Sequence, residues 1–116
     1  PEQTLYSYVY THNSQDDIYL IPVKLQDFRL ETGAPIWVDF KSIPYKDTEL
    51  LEWFRRLRLA EQFYDNADCD LLAKLAREEH LTHVVLPLNP SAAQCPAMEQ
   101  VYRDNYYLLA SIRPAD

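Results

Sequence analysis

Glycine is almost missing from this chain: Gly33 is the only one in 116 residues. Loops that cradle phosphate need several glycines so that backbone amides can approach the ligand closely. Neither a P-loop nor a dinucleotide fingerprint is therefore present, and no cofactor is expected. Cysteine is nearly as scarce. Cys69 and Cys95 are too few for a disulfide framework and lack metal-ligand spacing, which leaves a single bridge or two free thiols. Neither lies next to an obvious base or in an elbow motif, so the sequence does not point to thiol catalysis. No apolar run approaches the roughly 18 to 20 residues that cross a bilayer, and nothing resembles a signal peptide. Cations are outnumbered, with 11 Lys and Arg against 18 Asp and Glu for a net charge of −7. That balance repels phosphate backbones and argues against a nucleic-acid partner. Met98 is the only methionine and the chain opens on Pro1, so an excised or processed piece of a longer protein is expected.

What is present is ordinary globular material, 47% hydrophobic and 25% charged, sized for one domain over residues 1–116 with a single core. The segment 4–17 admits a strand or a helix: Tyr6, Tyr8 and Tyr10 alternate as a strand would, while Leu5, Tyr8, Val9 and His12 mark one helical face with polar residues from His12 to Asp17 as its stop, and the helix is favoured. Two β-type runs follow, Ile18–Val23 and Pro35–Phe40. Between them, Asp27 is placed to cap a short helix, FRLET, which Gly33 closes in the left-handed conformation. Such a crossover predicts a parallel pair, with Ile18–Val23 central. From Asp47 a long helix presents Leu50, Trp53, Phe54, Leu57, Ala60 and Tyr64. Its Trp53, Phe54 and Leu57 are expected against Ile36, Val38 and Val85. A second helix, from about Asp70 to His80, buries Leu71, Leu72, Leu75 and Ala76 behind a cap at Asp68 or Asp70. Thr82–Leu88 is the third strand and Tyr106–Ile112 the fourth, antiparallel at an edge after the turn Arg103–Asn105. The fold class expected is α/β: a small, mostly parallel sheet of about four strands covered by helices, Rossmann-like without the dinucleotide motif.

Few residues offer chemistry. His80 and His83 have H-x-x-H spacing but straddle a helix end and a strand start, and no third ligand completes a zinc site. Arg55, Arg56 and Arg58 cluster in sequence, yet helical spacing spreads them over more than one face, as on a solvated surface. In open parallel sheets, ligands sit beyond the carboxyl ends of the strands. There the chain places Lys24, then Lys41 and Ser42, then Asn89, with Arg29 on the first crossover. Lys24, Arg29 and Lys41 are thus the candidate ligand-binding residues, for an anionic small molecule. The plain alternative is that the two lysines solvate loop ends while Arg29 pairs with a nearby carboxylate. No catalytic or metal-binding residue is assigned.

The succession IYLIPVKLQDFRLETGAPIWVDFKSIPY, EWFRRL, HVVLPL and VYRDNYYLLASI resembles the uncharacterised soluble C-terminal domain of some bacterial multi-pass membrane proteins. Those proteins are similar in layout to lipid-linked-sugar glycosyltransferases. The resemblance spans nearly the whole chain, with PVKLQDFR and VDFKSIP its most specific segments. It implies a non-catalytic accessory or interaction domain on the outer, periplasmic face of the membrane, whose partners are the parent's transmembrane part and an anionic small molecule or lipid-linked headgroup. The rival class is a small enzyme or ligand-binding domain that takes an anionic substrate at Lys24, Arg29 and Lys41.

Overall fold

The computed structural model describes residues 1–88 and 94–113. Eight elements follow in order: α1 (Gln3–His12), β1 (Tyr19–Leu20), α2 (Phe28–Thr32), α3 (Asp47–Asn66), α4 (Cys69–Glu78), β2 (His83–Pro87), β3 (Met98–Arg103) and β4 (Tyr107–Ile112). The sheet order is β1-β2-β4-β3. Strand alternation sends side chains to both faces, and each face has its own helical cover. Leu20, Val84, Leu86, Leu108, Ala110 and Ile112 meet α3 and α4. Tyr19, Ile21, Val85, Tyr107 and Leu109 meet Leu5, Tyr6 and Val9 of α1 and Phe28 of α2. The result is three layers, helices on both sides of one sheet.

The mostly parallel, Rossmann-like sheet expected from sequence is not what forms. Only β1 and β2 pair in parallel, while β2–β4 and β3–β4 are antiparallel. Tyr106–Ile112 does supply a strand, but β4 lies between β2 and β3 and not at an edge. β1 is not central either, being the outermost strand of the order. The edge on the far side is β3, which the sequence hid because its residues are mostly exposed and carry no apolar period.

The run Pro35–Phe40 contributes a single parallel bridge, Tyr19 to Ile36. Its failure to extend has a visible cause: α3 takes the carbonyls that a strand ladder would use. Arg56 donates from Nη1 to the carbonyl of Trp37 at 2.7 Å, and Trp53 donates from Nε1 to that of Asp39 at 2.8 Å. The run Ile18–Val23 also shortens, because Pro22 has no amide to donate and its carbonyl accepts from Leu25 in a turn.

The short helices are built as their residues dictate. Gly33 ends α2 at φ +70°, its amide donating to the Arg29 carbonyl. Asp27, at the N-cap position of α2, makes no capping hydrogen bond and pairs with Lys41 instead. Asp68 caps α4 through the amide of Leu71, and all four expected residues of α4, Leu71, Leu72, Leu75 and Ala76, are buried. Cys69 and Cys95 are joined in a disulfide that ties the first residue of α4 to the chain just before β3.

Helix α3 is rotated from the face its periodicity suggested: Trp53, Ala60 and Tyr64 meet the core as expected, in the cluster that also holds Val38, but Phe54 does not. Its fully buried residues are Ala60 and Phe63, with Trp53, Leu59 and Tyr64 packed against the same cluster. Phe54 stays 46% exposed, and Ile36 and Val85 belong to the opposite layer. The Tyr64 hydroxyl reaches across to donate to the Val85 carbonyl at 2.8 Å, locking the helix to β2.

Candidate functional site

Two of the three candidate cations are brought together, and each already has an acid. Arg29, on α2, places Nη1 3.3 Å from Asp39 Oδ2. The other oxygen of Asp39 accepts from the amides of Lys41 and Ser42, a turn that swings the Lys41 side chain back toward α2. There Lys41 Nζ lies 3.1 Å from Asp27 Oδ1. Arg29 and Asp39, together with Gly33 to Ile36, line a groove of about 390 Å³. An anion entering it has to compete with Asp39 for the guanidinium. Lys24 joins neither pair; its ammonium sits 5.3 Å from the ring centroid of Tyr107, a cation–π contact. Asn89 lies outside the described residues.

The histidines separate. His80 occupies the left-handed turn that follows α4, at φ +64°, while His83 enters β2. Among the described residues no three His, Cys, Asp or Glu side chains converge as a metal site. His83 is held by its neighbours: it stacks on Tyr19 with centroids 4.6 Å apart, its Nδ1 is 2.8 Å from Thr82 Oγ1, and Asp17 lies 3.9 Å away. Burial pushes its imidazole below the ordinary value, against an opposing pull from Asp17. The unfolded chain therefore takes up this proton at a higher pH than the folded one. The contribution of His83 to stability is complete above the unfolded value near 6.5 and is lost as pH falls through the folded pKa. Urea midpoints of the parent should drop between about pH 7.5 and about pH 5 by more than those of His83→Gln. Equal drops in the two proteins would remove His83 from the acid response.

The more unusual surface is on α3. Leu51 is 72% exposed and Phe54 46%, and with Arg55, Arg58 and Leu59 they line a groove of about 570 Å³. Positions 51, 54/55 and 58/59 recur at helical spacing, so α3 carries a second apolar stripe beside the one it buries. The arginine cluster divides across faces, as its spacing implies. Arg56 turns inward, its guanidinium 5.4 Å from the ring centroid of Trp37. Arg55 bridges to α4, donating from Nη2 to Glu79 at 3.0 Å and from Nε to Glu52 at 2.8 Å. Hydrogen bonds from Arg55 and then Arg56 hold the Glu52 carboxyl down at about 2. Arg58 is exposed and pairs with no acid among the described residues. Sequence reading missed this groove because one helix carried two overlapping apolar patterns; the signal available was Leu51, which lies about 120° around α3 from the core residue Phe63.

Fold and surface together define a small three-layer α/β domain with a mixed sheet and an apolar, arginine-bearing groove on its longest helix. Residues 1–60 match the profile of a family described as a domain of unknown function, DUF6798, and the chain belongs to that family. The matched part runs from α1 through Ala60 and so contains Lys24, Arg29, Lys41 and the whole α3 groove. No curated protein matches the chain.

Proposed function

We propose that this chain is an accessory, non-catalytic interaction domain of an integral membrane protein, packing on that protein's membrane-embedded part through the outer face of α3. The observation that carries the proposal is the second apolar stripe of α3. A domain that has already buried Ala60 and Phe63 gains nothing of its own from Leu51 and Phe54 in water, whereas a docking partner gives them a use. The Cys69–Cys95 bridge supports a position in an oxidising compartment, such as the outer face of a bacterial membrane. Among the described residues no helix is long and apolar enough to cross a membrane, so in this proposal the rest of the parent chain supplies the anchor. The rival reading, recognition of an anionic small molecule or lipid-linked headgroup, has in its favour the groove beside Arg29, with Lys41 close by.

The test uses the natural full-length gene product in its own membranes, with a photoreactive residue placed at position 51. Irradiation should give an adduct that mass spectrometry maps to an apolar, membrane-embedded segment of the parent. Leu30, 80% exposed on α2, serves as the control position. Adducts from positions 51 and 30 in equal yield, or from position 51 to soluble chains only, would overturn the proposal.

A further inference from the structure

We infer that the α3 groove receives an amphipathic helix from a different chain segment, one that presents apolar anchors along α3 and a carboxylate at Arg58. This deepens the docking reading and rests on it. The groove runs from Leu51 to Leu59, about two helical turns or roughly 12 Å, the length over which a partner helix offers side chains at i, i+3, i+4 and i+7. Its lining residues among those described all lie on α3, so an occupant packs along that helix.

Charge selects the partner. Among the described residues no carboxylate lines the groove, and the guanidinium of Arg55 is already met by Glu52 and Glu79. Among the described residues, the groove charge without an acid is that of Arg58. A helix that covers Leu51 and Phe54 also takes water from Arg58, and a charge desolvated without a partner is strongly unfavourable. A carboxylate on the incoming helix satisfies it, bidentate in the favourable geometry. A second copy of this chain is a poor occupant. Two α3 grooves face to face would set arginine against arginine, and two chains of net charge −7 repel at long range.

The experiment is a selection with the 116-residue chain as bait and a displayed library of amphipathic helices as prey. The prey carry leucine at the i, i+3, i+4 and i+7 positions and have randomised flanks. Wild type should enrich Asp or Glu at one flanking position, and R58E should enrich Lys or Arg there, with at least about a tenfold reversal of preference for a matched Glu/Lys peptide pair. F54D should lose both classes while keeping the parent's circular dichroism and melting temperature. Selections without an acidic preference, or with one that R58E leaves unchanged, would overturn the inference. So would binding to vesicles containing phosphatidylglycerol that depends on Phe54 while no peptide binds, since the surface would then be a lipid-contacting one. A membrane-segment adduct at position 51 combined with peptides indifferent to Arg58 leaves the docking reading standing and removes only the acidic helix. A clear acidic selection without that adduct does the reverse.

Discussion

Removing the Cys69–Cys95 bridge should lower stability by about 3 to 4 kcal/mol. The two cysteines are 26 residues apart in sequence. In the chain-entropy account, closing a loop of that size restricts the unfolded ensemble by about 3.5 kcal/mol at room temperature. Against a total of roughly 5 to 15 kcal/mol for a domain of this kind, that is a large fraction. The location adds weight, because Cys95 is buried beside the sheet and Cys69 opens α4, so the bridge fastens the approach to the exposed edge strand β3 onto a helix of the same layer. Urea unfolding of the doubly substituted Cys69→Ala, Cys95→Ala chain should show a clearly lower midpoint, and the parent under reductant should behave like the variant. Coincident curves for oxidised parent and variant would mean that the crosslink adds nothing to the folded state.

The second large effect is expected at Phe63. Its side chain is fully buried between α3 and the sheet, and truncation of a buried phenylalanine costs about 3 to 5 kcal/mol through lost transfer energy and the cavity left behind. Phe63→Ala should therefore leave a marginal fold, while Phe54→Ala, at a half-exposed position in the outer groove, should fall within about 0.5 kcal/mol of the parent. Trp53→Ala is expected between the two, since the indole is only partly buried but gives up its hydrogen bond to the Asp39 carbonyl. The order of the three melting temperatures reports how α3 is rotated. If Phe54→Ala proved the most damaging, the core and groove faces of the helix would have to be exchanged.

That rotation shows where the reading of the sequence ran out. Periodicity identified α3 as a helix without difficulty, but Leu50, Trp53, Phe54 and Leu57 overlap a second pattern through Leu51 and Leu59, and a period alone cannot say which stripe meets the sheet. The same limit applies to the strands. β2 and β4 were legible because they are buried and apolar, and β3 was not, because an edge strand that buries little has no reason to alternate. The run Pro35–Phe40 has the composition of a strand, yet Arg56 and Trp53, from 14 to 19 residues further on, capture its carbonyls. Neither interaction has a local signature. For the candidate cations, the sequence placed Arg29 on the first crossover and Lys41 after the second strand, and only the fold paired them with Asp39 and Asp27.

The sequence by itself determined the local features: the helical segments, the left-handed close of α2 at Gly33, a cap at Asp68 or Asp70, the apolar strands β2 and β4, and the net charge of −7. These depend on neighbours within a few residues or on composition, so their causes are written in the order of the chain. Tertiary structure decided the strand order and direction, the Cys69–Cys95 pairing, the face on which α3 docks and hence the groove at Arg58 that remains. Each of these depends on groups distant in sequence competing for the same backbone carbonyl, the same sulfur or the same area of sheet, and that competition is settled only when the chain is packed.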